Sequence, residues 1–569
     1  MKNETWRFLP GALHAHGISL TPSHQLESID SVALMQYYDR FGNKEFMMHQ
    51  AQALPSFPMV NAYKKEEDSF LNTVRLVPIS EVPENANVIR SHVLYKVKDC
   101  DDGTKLLKAR IAPHGNEDSE KDGLKTDSAT CPPVGIRIVC STATVKKWPV
   151  VKIDFKTSFL QTGSATRDVY MIPPRECFPR TRHYWLLLAA AYGLVNSNAK
   201  WQAHSDTCLT QLGFQQLKYV PQLFFVRDES DLRALAVKIV DDILFCGERG
   251  FIENIICRIQ ERYKLRTVLY GPATFLYYGL TISQDAHYTS TIHADEKLQS
   301  YEAFPVDRNR RKMQDDALNV IELKSFRSLN SSMGWLGITV SPMCSLAASY
   351  LQQRGPEVKV HDMVLQIAML RSLKKFGTAI RFGRPESNGP HKVSLTVFSY
   401  ASKSDEKAQL GYIAGLVFGD VFSGATIHPL NWASHKSHRP VKSAGSAETI
   451  AAAQAIDEGK VLKLALQVIW QIPIELVVIV DSKDLFDSLT SCRNATDRSI
   501  RGDFSVIRYE FETKAVNKVI WIPGSSNLSD PLTKNNSTLT EALHLMMAGG
   551  KCPLRPERSH VRDSDMSTE

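Results

Sequence analysis

Residues 234–246, ALAVKIVDDILFC, place two adjacent aspartates, Asp241 and Asp242, between two apolar runs. The pattern predicts two strands joined by a tight turn that carries both carboxylates. Charge at the tip of such a hairpin is unfavourable unless a cation neutralises it. On these residues alone an ordinary polar turn is the better interpretation, because Asp is a common turn former.

A third carboxylate follows another apolar run, since Val150–Ile153 lead directly to Asp154. Three carboxylates that converge on one point make an oxygen-ligand site suited to Mg²⁺. Two such ions can activate a 3′-hydroxyl and stabilise a pyrophosphate leaving group. The sequence therefore contains a candidate two-metal site at Asp154, Asp241 and Asp242.

The composition is that of an ordinary globular protein. With 569 residues, 43% apolar and 23% charged, the chain has room for three to four domains and is neither disordered nor fibrous. The net charge of +7 permits a polyanionic partner without requiring one. None of the ten cysteines forms a C-x-x-C pair, and no apolar run reaches the roughly 18 residues of a membrane span. We expect an intracellular protein of the cytoplasm, the nucleus or both.

An ordered set of motifs changes the interpretation of the acidic residues. The set comprises K-A-R-I-A-P-H-G (108–115), V-K-I-D-F-K-T-S-F-L-Q-T-G (151–163), V-Y-M-I-P-P (169–174), A-Y-G-L (191–194), L-G-F (212–214), V-D-D (240–242) and R-S-L-N-S-S-M-G-W-L-G (327–337). In order and approximate spacing it resembles the reverse transcriptase of copia-like LTR retrotransposons. The resemblance implies an α+β right-hand polymerase, with fingers and a palm built from an antiparallel sheet and helices.

The resemblance also implies roles for individual residues. Asp154, Asp241 and Asp242 match the palm carboxylates that bind two Mg²⁺ ions, with Mn²⁺ as a possible substitute. Arg110 matches the fingers arginine that contacts the triphosphate, and a bidentate guanidinium suits phosphate oxygens. Phe159 matches the bulky residue that screens the 2′ position of the incoming sugar; a core phenylalanine is the alternative.

Two further nucleotide-binding candidates are less specific. Lys98 lies on the partner strand of Arg110, where a solvated strand face is an equal alternative. Asn196 stands where the family usually has Gln, and Val195 where it has Lys. A third departure is Ile239 in place of the usual aromatic residue before the Asp dyad. None of these changes removes a metal ligand.

A second set of motifs resembles the ribonuclease H of the same polyproteins. It comprises N-W-A-S-H-K-S (431–437), S-A-G-S-A-E (443–448), V-D-S-K (480–483), W-I-P-G (521–524) and N-L-S-D-P-L-T-K (527–534). The resemblance implies an α/β ribonuclease H-like domain with two more Mg²⁺ ions. Glu448, Asp481 and Asp530 match three of its four acidic ligands. A first-turn acid for Glu448 and a plain helix cap for Asp530 are the alternatives.

The fourth ligand is missing, because Tyr400 stands where the family has its first aspartate. A neutral phenol, with a pKa of roughly 10, is a bulky and poor ligand for Mg²⁺. Asp405 is close in sequence but lies beyond the expected position. We therefore expect severely impaired ribonuclease H activity.

The linear organisation predicted from these motifs has five parts: a weakly structured leader (1–75), a reverse transcriptase (76–345), a helical connection and linker (346–392), a ribonuclease H-like domain (393–545) and a flexible tail (546–569). The implied partners are an RNA template, a DNA primer, an RNA–DNA hybrid and deoxynucleotides. Self-association or contact with other retrotransposon proteins is possible, and no membrane is implied. The alternative function is a decayed or host-adopted retrotransposon protein that binds nucleic acid without catalysis.

Overall fold

The computed structural model describes residues 40, 44–51, 54, 57–99, 105–163, 167–175, 177–178, 181–229, 231–385, 392–403, 407–489, 497–555 and 559–564. The chain divides into two compact units. The first is formed by the described part of Met1–Ala129 with Phe155–Leu209, and the second by Thr130–Asp154 with Thr210–Glu569. Because the chain leaves the first unit and returns to it, these units do not follow the linear boundaries expected from the motifs.

The first part of the chain supplies two sheets to the first unit. The elements of this part of the chain are β1 (Phe46–Met47), α1 (Phe57–Leu71), β2 (Val74–Pro78), β3 (Val88–Ile89), β4 (Ser91–Asp99), β5 (Lys105–Pro113), α2 (Pro133–Lys146), β6 (Val150–Phe155), β7 (Tyr170–Met171), β8 (His183–Leu187) and α3 (Ser197–Gln211). Of these, α2 and all of β6 except Phe155 belong to the second unit. One sheet has the order β1-β4-β5 and the other the order β2-β8-β7-β3. Strands β4 and β5 form an antiparallel pair.

The prediction of a weakly structured leader is wrong for residues 57–71, which form helix α1. Met59, Tyr63 and Phe70 of this helix are buried in the same core as strands β4 and β5. The apolar positions are few and are separated by a charged run, so the sequence shows only weak helical periodicity. Packing against the sheet compensates for this weak local signal.

The second part of the chain builds the central sheet of the second unit. Its elements are β9 (Gln215–Gln216), β10 (Leu223–Asp228), β11 (Asp231–Ile239), β12 (Asp242–Gly247), α4 (Arg249–Gln260), β13 (Leu265–Tyr270), β14 (Thr274–Tyr277), β15 (Leu280–Gln284), β16 (Ser290–His293), α5 (Asp295–Ser300), α6 (Val320–Thr339), α7 (Pro342–Gln352), α8 (Val360–Phe376) and β17 (Ile380–Phe382). The six-stranded central sheet has the order β13-β6-β12-β11-β10-β9, and a four-stranded sheet has the order β14-β15-β16-β17.

The helical connection predicted from 346 onward is present as α7 and α8, but the linker prediction needs a correction. Ile380–Phe382, inside the Gly- and Pro-rich stretch, form strand β17 and pair with β16. Ile380 and Phe382 are fully buried. Their burial anchors this segment to the sheet, so it is not a free linker over its described part.

The last part of the chain forms a mixed six-stranded sheet with helices. Its elements are β18 (Val393–Lys403), β19 (Ala408–Phe418), β20 (Thr426–Lys436), α9 (Ala444–Trp470), β21 (Glu475–Val480), α10 (Lys483–Ser488), α11 (Arg501–Glu512), β22 (Lys518–Trp521), α12 (Ser537–Gly549) and β23 (His560–Asp563). The strand order is β20-β19-β18-β21-β22-β23. Strands β18, β21 and β22 run parallel, and the remaining neighbours pair antiparallel.

The prediction of a flexible tail is also wrong for much of residues 546–569. Helix α12 extends to Gly549, and Cys552 and Leu554 are buried. Strand β23 then pairs with β22 and becomes the edge of the sheet. A four-residue edge strand with polar residues carries almost no sequence signal, because its structure comes from the backbone hydrogen bonds of its neighbour.

A buried polar contact joins helix α2 to the last sheet within the second unit. The guanidinium of Arg137 is fully buried, stacks 3.6 Å from the ring centre of Trp432, and donates to the carbonyl oxygens of Leu430, Ile338 and Thr339. The indole of Trp432 in turn donates to the carbonyl of Gly337. Since Ile338 and Thr339 are the last residues of α6, Arg137 caps that helix and ties it to α2 and β20 at one point.

Among the described residues no helix combines the length and apolar character needed to cross a bilayer.

Candidate active sites

The first acidic site is assembled by the pairing of two strands in the central sheet. Strand β12 pairs antiparallel with β6, and its register places Asp242 directly opposite Asp154. Side chains of directly opposed residues lie on the same face, with their Cβ atoms about 5 Å apart. Asp241 occupies the two-residue turn between β11 and β12, beside Val240 in the left-handed region (φ 53°). The hairpin predicted from the sequence is therefore present, and three carboxylates share one end of the sheet.

Two cations contact these carboxylates. The guanidinium of Arg266, on β13, lies 2.9 Å from Oδ2 of Asp154. The ammonium of Lys152, on β6, lies 3.7 Å from Oδ1 of Asp242 and donates to the carbonyl of Leu276. Both aspartates are partly exposed, so a solvated ligand can reach them. The positive side chains offset the repulsion between neighbouring carboxylates.

Candidate nucleotide-binding residues meet in the first unit around a residue to which the sequence assigned no role. The guanidinium carbon of Arg110, on β5, lies 4.4 Å from the ring centre of Tyr192. The ring of Phe159, in the 3₁₀ turn Ser158–Gln161, lies 6.1 Å from the same ring. Glu45 forms a 3.4 Å ion pair with Arg110. Tyr192 belongs to the A-Y-G-L motif, so its position in a motif was the available signal.

The second acidic site lies at the ends of elements in the mixed sheet. Asp481 directly follows β21, Glu448 lies near the start of α9, and Asp530 begins the 3₁₀ turn Asp530–Leu532. Burial and the nearby Glu448 carboxylate raise the pKa of Asp481 to about 7. Burial also raises the pKa of Glu448, against a hydrogen bond from Ser482. The carboxylates of Glu448 and Asp530 both lie close enough to raise the pKa of Asp481.

Tyr400 and Lys534 complete the surroundings of this second site. The ammonium of Lys534 lies 2.5 Å from the hydroxyl of Tyr400 and 2.7 Å from Oδ2 of Asp530. Burial raises the pKa of the Tyr400 phenol, so the hydroxyl stays neutral at physiological pH. Although burial opposes its charge, the hydrogen bonds to Asp530 and Tyr400 raise the pKa of Lys534. Asp405 lies outside the described residues.

Comparison with known proteins identifies the region that contains the first site. Residues 72–299 match the family model described as reverse transcriptase (RNA-dependent DNA polymerase). Two curated relatives are the "Retrovirus-related Pol polyprotein from transposon RE1" and the corresponding RE2 protein, both of Arabidopsis thaliana. The identities are 23% over 479 residues and 24% over 480 residues, in each case 79% of this chain. The chain thus resembles copia-like retrotransposon Pol polyproteins.

The chain spans less than a third of the length of these relatives, since each alignment covers 31% of the relative. A solved structure, "Structure of the foamy viral protease-reverse transcriptase dRH in complex with ds DNA", is 13% identical with a TM-score of 0.43. It is matched over 73% of this chain and 62% of its own. The recognition of the copia-like family from the motifs is confirmed.

Of the two other nucleotide-binding candidates, Lys98 is distant from Arg110 along the hairpin and Asn196 is buried. Lys98 pairs with Leu106 and Arg110 with Leu94, so the two basic residues are separated by about 13 Å along the hairpin. Asn196, just before α3, is only 4% exposed. Its side chain is covered in this structure, so direct contact with a nucleotide would need a local rearrangement.

The donor chemistry of both acidic sites fits Mg²⁺, because carboxylate oxygens are its preferred protein ligands. Within the described part of the chain no three acidic, His or Cys side chains are already arranged around a common metal position. At the first site the carboxylate of Asp154 is turned to Arg266, and at the second that of Asp530 is turned to Lys534. Metal binding would therefore require these ion pairs to open.

Proposed function

We propose that this chain is an RNA-directed DNA polymerase that uses Asp154, Asp241 and Asp242 for two-metal nucleotidyl transfer. The observation that carries the proposal is the cross-strand pairing of Asp154 with Asp242, next to the turn that holds Asp241. Its support is the match of residues 72–299 to the reverse transcriptase family. RNA template, DNA primer and deoxynucleotides are the proposed substrates, and an intracellular site of action follows from the retrotransposon relationship.

In the proposed mechanism the three carboxylates would hold two Mg²⁺ ions. When bound, these ions supply the Lewis acidity that activates the primer 3′-hydroxyl and stabilises the pyrophosphate. Arg110 would contact the triphosphate through its guanidinium. Phe159 would exclude a 2′-hydroxyl by its bulk. Lys152 and Arg266 would balance the charge of the carboxylates before the metals arrive.

Primer extension on an RNA template with Mg²⁺ and the four deoxynucleotides tests this proposal. We expect extension by the wild-type chain, and a loss of at least 100-fold in Asp241→Asn, since the amide keeps the shape but not the charge. Asp231→Asn, an exposed aspartate at the other end of β11, is the matched control. A wild-type chain that binds template–primer tightly but does not extend it would establish the alternative, a binding protein without catalysis.

We propose further that residues 393–563 form a ribonuclease H-like domain whose nuclease centre is impaired. The support is the order of the mixed sheet, three antiparallel strands followed by two parallel ones and an antiparallel edge strand. The neighbourhood of Glu448 and Asp481 beside Tyr400 adds to it. With three carboxylates and a phenol, the site would hold its metals more weakly than a site with four carboxylates. The RNA–DNA hybrid is its proposed ligand.

A further inference from the structure

One aromatic ring connects the two residues proposed to bind the incoming nucleotide. The Tyr192 ring centre lies 4.4 Å from the guanidinium carbon of Arg110 and 6.1 Å from the ring centre of Phe159. Its side chain is partly exposed at 37%, which leaves ring surface available to a ligand. The resemblance gave roles to Arg110 and Phe159 but none to Tyr192.

The backbone around Tyr192 is fixed to the strand that carries Arg110. Gly193 has φ +113°, and a Cβ placed on it would lie 2.5 Å from the carbonyl oxygen of Pro113. A Cβ on Gly115 would lie 2.3 Å from the carbonyl oxygen of Gly193. Both positions therefore require glycine. Their lack of a side chain lets the 191–194 turn pack directly against the end of β5.

The same turn is tied to the segment that carries Phe159. The backbone N–H of Ala190 donates to the hydroxyl of Thr162, and that hydroxyl donates to the carbonyl of Phe159. The hydroxyl of Ser197 donates to the carbonyl of Ala191 and closes the turn from its other end. Tyr192 is thus held at a defined position between two separate parts of the first unit.

We propose that Tyr192 is a positioning residue for the incoming nucleotide; this rests on the polymerase function proposed above. Its ring holds the Arg110 guanidinium in place by a cation–π contact, in competition with the carboxylate of Glu45, and limits the movement of Phe159. A guanidinium fixed in this way is ready to bind the triphosphate without first losing side-chain freedom. The role predicts an effect on nucleotide affinity and sugar selection, and little effect on the chemical step.

Steady-state extension by Tyr192→Leu and Tyr192→Phe tests the role. We expect Tyr192→Leu to raise KM for deoxynucleotides roughly 3- to 10-fold, the size of a partly exposed cation–π contact, with kcat within about 2-fold. Incorporation of ribonucleotides relative to deoxynucleotides should rise in the same variant. Tyr192→Phe keeps the aromatic ring, so its KM for deoxynucleotides and its relative incorporation of ribonucleotides should equal those of the wild type. Tyr509→Leu, the same change at an exposed tyrosine of α11, is the control.

A binding measurement separates failure of this inference from failure of the proposed function. Thymidine triphosphate with Mg²⁺ is titrated against the chain on a chain-terminated primer paired with an RNA template, and melting temperatures show that each variant is folded. Wild-type extension together with unchanged KM and unchanged binding in Tyr192→Leu overturns the inference alone. Absence of both extension and nucleotide binding in the wild type overturns the proposed function and this inference with it.

Discussion

The ammonium of Lys534 lies 2.5 Å from the hydroxyl of Tyr400, the residue that stands where the ribonuclease H resemblance predicts an aspartate. The same ammonium is 2.7 Å from a carboxylate oxygen of Asp530 and 4.7 Å from the centre of the Tyr400 ring. The phenol oxygen therefore accepts a hydrogen bond from Lys534 without contributing a negative charge. A phenol in place of a carboxylate leaves fewer acidic oxygens for a metal ion.

Restoring the acidic residue tests whether Tyr400 is the cause of the proposed nuclease defect. We expect Tyr400→Asp to cleave the RNA strand of an RNA–DNA hybrid at least 10-fold faster than the wild type, because a carboxylate returns to the metal site. Cleavage is measured with end-labelled RNA in the hybrid and Mg²⁺. Tyr400→Phe should remain as slow as the wild type. The double variant Tyr400→Asp/Asp481→Asn should be inactive, which excludes a contaminating nuclease; rapid cleavage by the wild type would contradict the defect.

The pKa of Asp481 predicts a pH dependence of stability in metal-free buffer. Burial raises this pKa from 3.8 to about 7, so the folded protein binds the proton more tightly than the unfolded chain. The stabilising contribution of the protonated form is complete below about pH 4 and is lost as the pH rises through about 7. The melting temperature of Asp481→Asn should therefore fall less between pH 5 and pH 8 than that of the wild type.

The exposed residue Asp457, on helix α9, provides the control for this pH profile. Asp457→Asn should show the wild-type dependence, because its carboxylate is solvated in both states. Parallel profiles of the wild type and Asp481→Asn would show that Asp481 titrates near its ordinary pKa. Addition of Mg²⁺ should reduce the difference at pH 8 if the site binds the ion.

The ion pair between Arg266 and Asp154 predicts a specific effect on the metal requirement of the polymerase. A bound Mg²⁺ must replace the guanidinium at the Asp154 carboxylate, so Arg266→Gln should lower the Mg²⁺ concentration for half-maximal extension about 2- to 5-fold, the size of an exposed ion pair. EDTA should abolish extension in both proteins. Arg262→Gln, which removes a hydrogen bond to Gln211, is the control. A Mg²⁺ titration unchanged by Arg266→Gln would show that the two cations do not compete.

The buried guanidinium of Arg137 predicts a large loss of stability on substitution. Arg137→Met leaves the carbonyl groups of Leu430, Ile338 and Thr339 without their buried donor, at a cost of about 3 kcal/mol or more. Arg137→Lys should recover little of the lost free energy of unfolding, since a single ammonium cannot match the several donors of a planar guanidinium. Denaturant unfolding measures both. Lys146→Met, at the exposed end of the same helix, should change the stability by less than about 0.5 kcal/mol.

The sequence determined which acidic residues are candidates and the resemblance to retrotransposon Pol proteins. The apolar runs on either side of Asp241-Asp242 predicted a hairpin, and that hairpin is present. The ordered elements inside the predicted leader and tail were missed for a common reason. Helix α1 and strand β23 have weak local patterns, and their structure comes from a core or from a neighbouring strand that lies far away in the sequence.

Only the tertiary structure decided how these residues combine. The register of β6 on β12 makes Asp154 the neighbour of Asp242, and two close-packed glycines bring Tyr192 to Arg110. The substitution of Tyr400 was visible in the sequence, but its pairing with Lys534 was not. Backbone pairing and burial act between residues remote along the chain, so they fix distances and charge balance that a linear pattern does not contain.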